Sequence, residues 1–111
     1  MRHNFSDNAV AILEDRYLLR NDDDEIVERP EEMIHRVCDV VAQNKEEHNT
    51  FKELLMSLKF LPNSPTLMNA KKKIGNLSAC FTIPVEDSMR GIFKALQDQA
   101  LVQKWGGNHI I

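Results

Sequence analysis

The chain has 111 residues, a net charge of −3, 42% hydrophobic and 28% charged residues, which bounds it to one small domain or a piece of a larger protein. A slightly acidic chain with scattered Arg and Lys argues against general nucleic-acid binding, which favours a basic face. No apolar run approaches the roughly 20 residues that span a bilayer. The charged N-terminus lacks a signal-peptide core, so a cytoplasmic location is expected.

Ser6 is placed to cap a helix running to about Leu18, with Val10, Leu13 and Tyr17 on one stripe and Ala9 beside them. Asn21 to Asp24 is an acidic, turn-forming cluster. It reads as a solvated loop, or as the tip of a short β-ribbon between Tyr17–Leu19 and Ile26–Val27. Pro30, Glu31 and Glu32 make a good helix start, because proline lacks only an N–H that would go unbonded and the acids suit the dipole. Met33, Ile34, Val37, Cys38 and Val41 form its apolar face out to about Gln43. A third helix is expected from Lys45 to Lys59, with Phe51, Leu54, Leu55 and Leu58 inward, ended by Pro62.

Asn63 to Thr66 reads as a turn or extended segment, since proline disfavours helix in the residue before it. Lys71, Lys72, Lys73, Gly75 and Asn76 make a second loop, either merely solvated or attractive to phosphates. Leu77 to Ile83 is rich in β-compatible residues and predicts one short strand, ended by Pro84 and presenting an unpaired edge. Asp87 or Ser88 caps a last helix to about Lys104, with Met89, Ile92, Phe93, Leu96 and Ala100 inward and Gly106-Gly107 as its stop. The expected fold is therefore mainly α, about four helices with one short β segment, divided into a helical region 1–61 and a second region 62–111.

Cys80 is the leading candidate for chemistry. A lone thiol is equally a small buried hydrophobe, and thiol–disulfide exchange needs a second thiol with its Cα about 5.5–6 Å away. Cys38 is the one other cysteine, and it falls on the apolar stripe of the second helix. Ser64 and Thr66, around Pro65, offer hydroxyls and backbone N–H groups suited to phosphate oxygens, or simply stop a helix. Asp87 and Ser88 form an N-cap that could also meet a nucleotide, and Lys104 suits a helix C-terminus. His3, His35, His48 and His109 match no metal-ligand spacing, and no metal is expected. No Gly-rich phosphate loop is present.

Three motifs stand together: Phe60-Leu-Pro-Asn-Ser-Pro-Thr-Leu-Met-Asn-Ala70, Leu77-Ser-Ala-Cys-Phe81 and Pro84-Val-Glu-Asp-Ser-Met89. With Ala9–Leu13, Arg16–Leu18 and Pro30–Met33 upstream and Gly91–Lys104 downstream, they resemble the large chain of the adenosylcobalamin-dependent (class II) ribonucleotide reductases over nearly the whole length. The resemblance makes the second region the start of the reductase barrel. It implies an enzyme in which adenosylcobalamin gives rise to a cysteine thiyl radical and two further cysteines supply the electrons that remove the ribose 2′ hydroxyl. Cys80 resembles the first of those reducing cysteines. Ser64, Thr66, Ala79 and Asn108 resemble substrate contacts. Asp87, Ser88, Met89 and Lys104 resemble the site of a deoxynucleotide effector, beside helices of the family's dimer interface.

Two departures stand out. Lys71 occupies a position where the family has glycine, and after Lys104 the family's Ser-Gly-Gly-Gly-Thr-Gly is replaced by Trp105-Gly-Gly-Asn-His-Ile-Ile111. The resemblance thus implies a truncated N-terminal piece, inactive alone or completed by a second, C-terminal chain, with a homodimer as a further partner and no cobalamin held by this chain by itself. The alternative is a non-catalytic nucleotide-binding or interaction module derived from a reductase, or a remnant without a task.

Overall fold

The structure is a computed structural model that describes residues 2–73 and 75–104, and the backbone of 108–110. Among the described residues five helices and two short strands follow one another: α1 (Asp7–Arg16), α2 (Pro30–Val41), α3 (Lys45–Met56), α4 (Ser64–Asn69), β1 (Cys80–Thr82), α5 (Met89–Lys104) and β2 (Asn108–Ile110). The molecule is mostly helical, as the periodicity predicts. Among the described residues no helix is long and apolar enough to cross a membrane. The expected stop at Gly106-Gly107 lies outside the described residues.

Each early helix starts on the signal its sequence carries. Ser6 Oγ accepts from Ala9 N at 3.2 Å to cap α1. At α2 the Arg29 backbone N–H donates to Glu32 Oε1 at 3.1 Å. This is the return half of a capping box, and it is the available half because an arginine side chain offers no acceptor. Glu31 is held below the usual carboxylate range by its own backbone N–H, and Glu32 by the Arg29 guanidinium. Asn44 Oδ1 accepts from Glu47 N at 2.8 Å and Glu47 Oε2 accepts from Gln43 N at 2.8 Å, which fixes the short connection between α2 and α3.

The core lies between α1, α2, α3 and α4. Met33, Ile34, Val37 and Cys38 are fully buried, packed with Leu13, Leu18, Leu55, Met56, Leu67 and Ala70. Two expected core residues face outward instead. Val41 ends α2 at the surface, and Leu58 does not continue α3. Leu58 adopts φ 59°, and its N–H bonds Leu55 O at 3.2 Å while Lys59 N bonds Leu54 O at 3.0 Å. This is a Schellman stop with leucine where glycine is usual, so α3 closes at Met56 rather than Lys59.

The predicted turn at Asn63–Thr66 is the start of a helix. Asn63 Oδ1 accepts from Thr66 N at 3.1 Å and from Thr66 Oγ1 at 2.7 Å. Pro65 falls in the first turn, where a missing N–H costs nothing. The acidic loop carries part of the ribbon alternative: Arg20 and Ile26 form an isolated antiparallel bridge, and Asn21 Oδ1 accepts from both Asp23 N and Glu25 N.

The strongest correction concerns α5. Its apolar residues Met89, Ile92, Phe93 and Leu96 are 72%, 50%, 61% and 56% exposed, and Ala100 is also exposed. The buried positions are the small ones, Gly91 and Ala95. A Cβ on Gly91 would sit 2.7 Å from Glu86 Cβ and 3.0 Å from Glu86 O, so the chain leading into α5 closes against a position that only glycine fits. The helix packs chiefly against β2, and the radius of gyration of 17.2 Å exceeds the roughly 13 Å of a compact domain this long. The strand is shorter than the predicted Leu77–Ile83, and one of its two edges is paired: β1 runs parallel to β2, with Cys80 opposite Asn108, Phe81 opposite His109 and Thr82 opposite Ile110, while no strand among the described residues pairs with its other edge.

Candidate functional site

A buried ion pair links the helical core to the motif region. Arg36 Nε donates to Glu28 Oε2 at 2.8 Å and Arg36 Nη2 to Glu28 Oε1 at 2.9 Å, with both side chains only 6% exposed. The same guanidinium donates to Ala70 O and Leu67 O, each at 2.9 Å, so it satisfies carbonyls at the C-terminus of α4. Glu28 Oε1 also accepts from Leu19 N at 3.3 Å. Among the described residues no buried side-chain nitrogen or oxygen lacks a partner.

From α4 the connection continues to the cysteine strand. The Thr66 hydroxyl shares its one proton between Asn63 Oδ1 and Leu77 O, the latter 3.0 Å away, and Asn69 Nδ2 donates to Asn76 O at 3.0 Å. Thr66 is buried, whereas Ser64 at the start of the same helix is exposed and shares a 2.9 Å hydrogen bond with the Tyr17 hydroxyl. Ala79 is half-buried, and Cys80, which opens β1, is exposed. Register puts Asn108 directly beside Cys80, about 4.8 Å away between neighbouring strands. Ser64, Thr66, Ala79, Cys80 and Asn108 therefore belong to one tethered stretch. Cys38, by contrast, is fully buried in the core, and burial pushes its thiol pKa up.

The residues assigned to an effector do not all meet. Ser88 caps α5, its Oγ accepting from Gly91 N at 3.0 Å, with Asp87 and Met89 exposed beside it. Lys104 ends the same 16-residue helix, roughly 22 Å along the axis from Met89.

Lys71, the departure from glycine, has φ 64°. Left-handed backbone costs a non-glycine residue roughly 1–2 kcal/mol, and here the side chain reaches Asp39, its Nζ 2.5 Å from Oδ2. Asp39 is held below the usual carboxylate range, first by this Lys71 hydrogen bond and then by His35 and His48. Spacing in the sequence gives no metal motif, yet the fold draws His35, Asp39 and His48 together, their ligand atoms within 4.8 Å of one another. The His35–Asp39 half is legible as an i, i+4 pair on α2; the His48 half depends on how α3 folds back.

The profile of the family described as "Ribonucleotide reductase, all-alpha domain" matches residues 3–75. The chain is 33% identical to the vitamin B12-dependent ribonucleoside-diphosphate reductase of Thermoplasma acidophilum, over 90% of this chain and 21% of that protein. It is 38% identical to the reductase of the same description from Mycobacterium tuberculosis, over 89% of this chain and 16% of the relative. A ribonucleoside-diphosphate reductase large chain of Neurospora crassa is 41% identical over 94% of this chain and 11% of its own length. The chain belongs to the ribonucleotide reductase family, matching the N-terminal segment of the class II large chain. It spans about a fifth, or less, of the length of these relatives.

Proposed function

We propose that this chain supplies the N-terminal part of a ribonucleotide reductase, the reaction that makes deoxyribonucleotides as DNA precursors. The division into a helical region 1–61 and the start of the catalytic region at 62–111 belongs to this reading. The observation that carries it is an exposed Cys80 on a strand tied through Leu77 and Thr66 to the motif helix α4, within a chain of this family. Cys80 acts as one of two reducing thiols. The pair gives up two electrons and two protons, forming a disulfide while the ribose 2′ hydroxyl leaves as water. On this reading Ser64, Thr66 and Ala79 contact the substrate, with Asn108 contributing through its backbone.

Cys38 does not serve as the second thiol, because its sulfur is sealed in the core between α2 and its neighbours. The other reducing cysteine comes from another segment or another chain, and the 111 residues are inactive by themselves. Adenosylcobalamin supplies the radical in the vitamin B12-dependent relatives. On this reading the chain by itself holds no cobalamin, which is bound by the rest of the enzyme. Mixing the chain with a class II reductase lacking this segment, adenosylcobalamin and a dithiol is expected to restore deoxynucleotide formation. No turnover with any such partner ends this reading.

The outward apolar face of α5 supports a second copy as partner, with the deoxynucleotide effector between the Asp87, Ser88 and Met89 end of α5 in one copy and the Lys104 end in the other. Covering Met89, Ile92, Phe93 and Leu96 contributes about 1.5–3 kcal/mol for each side chain fully buried. Light scattering is expected to show concentration-dependent dimers, lost in Phe93→Asp and Leu96→Asp. A wild-type chain that stays monomeric at high concentration contradicts the arrangement.

A further inference from the structure

We propose that His35, Asp39 and His48 form a binding site for a divalent transition-metal ion of the zinc class, separate from the cysteine strand. His48 Nε2 lies 2.8 Å from Asp39 Oδ1, and His35 Nε2 lies 3.5 Å from Asp39 Oδ2. The two imidazole rings meet edge to face with centroids 4.8 Å apart. A tetrahedral ion bonds imidazole nitrogen at about 2.0–2.1 Å, which puts two such ligand atoms about 3.3 Å apart. The two histidine–aspartate separations are close to that spacing and all three ligand atoms lie within 4.8 Å of one another, so modest side-chain rotations let both imidazoles and one carboxylate oxygen turn onto a shared ion.

The backbone beneath them is fixed before any ion arrives. His35 and Asp39 are one turn apart on α2, and the Asn44 cap together with the Glu47–Gln43 bond sets where α3 begins and therefore where His48 points. Burial is graded in a useful way: His48 and Asp39 are 18% and 25% exposed, while His35 is 57% exposed. The cluster lies in an open cleft of about 480 Å³ that also includes Gln43, Asn44 and Asn49, so water can complete the coordination.

Two imidazoles and one carboxylate select among ions by chemistry. Imidazole suits zinc, cobalt, nickel and copper, whereas magnesium and calcium require sets of oxygen ligands. Such an ion would pin α2 to α3 across their short connection. It would also compete with the Lys71 ammonium, which now occupies Asp39 Oδ2. Lys71 is half-exposed on a flexible stem and can withdraw into solvent. Ion binding thus exchanges one tie, from the loop after α4 to α2, for another between the two long helices.

The test is titration of the metal-stripped 111-residue chain with Zn²⁺ by calorimetry, and with Co²⁺ by its visible absorption. One saturable site per chain is expected, with a rise in melting temperature. Affinity should fall by about tenfold or more in His48→Ala and in Asp39→Asn, stay unchanged in His3→Ala, and increase in Lys71→Ala. Circular dichroism reports whether each variant is folded. Should one not fold, the Co²⁺ spectrum of the wild-type chain decides, since bands of a nitrogen-ligated, low-coordinate ion are expected and those of the hexaaquo ion oppose the site. Absence of saturable binding below about 1 mM, or binding that survives in the folded His35→Ala/His48→Ala double variant, overturns the proposal.

Discussion

Replacing Arg36 with alanine is expected to cost about 3–5 kcal/mol, because it leaves the Glu28 carboxylate buried without its partner. Domains of this size hold only about 5–15 kcal/mol in all, so the variant should melt about 12–20 °C lower. The guanidinium also satisfies Leu67 O and Ala70 O, and its removal should raise amide exchange through residues 64–79. Arg36→Lys should fall between the two, keeping the charge but not the fork that meets carboxylate and carbonyls together. In the double variant Glu28→Leu/Arg36→Met the stranded charge is gone, yet Leu19 N and two α4 carbonyls lose partners. It should recover only part of the loss. An Arg36→Ala chain that melts within about 2 °C of wild type would show that the pair is not what holds α4 to the core.

The two thiols should react at rates separated by about a hundredfold or more, since Cys80 is exposed and Cys38 opens to reagent only when α2 comes away from the core. Burial adds to the contrast by raising the Cys38 pKa, which lowers its thiolate fraction at neutral pH. Cys80→Ser should remove the fast phase and change stability by no more than about 0.5 kcal/mol. In the reconstituted reductase assay the same variant should abolish deoxynucleotide formation, because a hydroxyl cannot close a disulfide. Equal labelling rates for both cysteines would place Cys38 at the surface. Turnover that persists without the Cys80 sulfur would remove that residue from the reaction.

Helices α1, α2, α3 and α5 are legible in the sequence because each carries an apolar stripe at 3–4-residue spacing, begun by Ser6 at α1, by Pro30-Glu31-Glu32 at α2 and by Asp87 or Ser88 at α5. α4 is not, because two prolines near one another suggest a break, and only the Asn63 side chain shows that Pro65 begins a helix. Periodicity correctly marks α5 as amphipathic, but it cannot say whether the apolar face meets this chain's own core; here it faces outward. Arg36 stands within an apolar run of α2 and carries no local sign that Glu28 and α4 will enclose it. The Ser-Pro-Thr and Cys80 motifs are readable as strings, and Asn108 is drawn to Cys80 by a strand pairing that no local pattern announces. The histidine cluster is half visible, since one turn of helix separates His35 from Asp39.

The elongated outline, 55 × 35 × 24 Å, bears on how self-association should be measured. A particle of that aspect ratio meets more friction in water than a sphere of equal mass. A single copy will therefore leave a sizing column early, in the position of a heavier globular standard. Absolute mass, from scattering or sedimentation equilibrium, separates a true pair of chains from one long one.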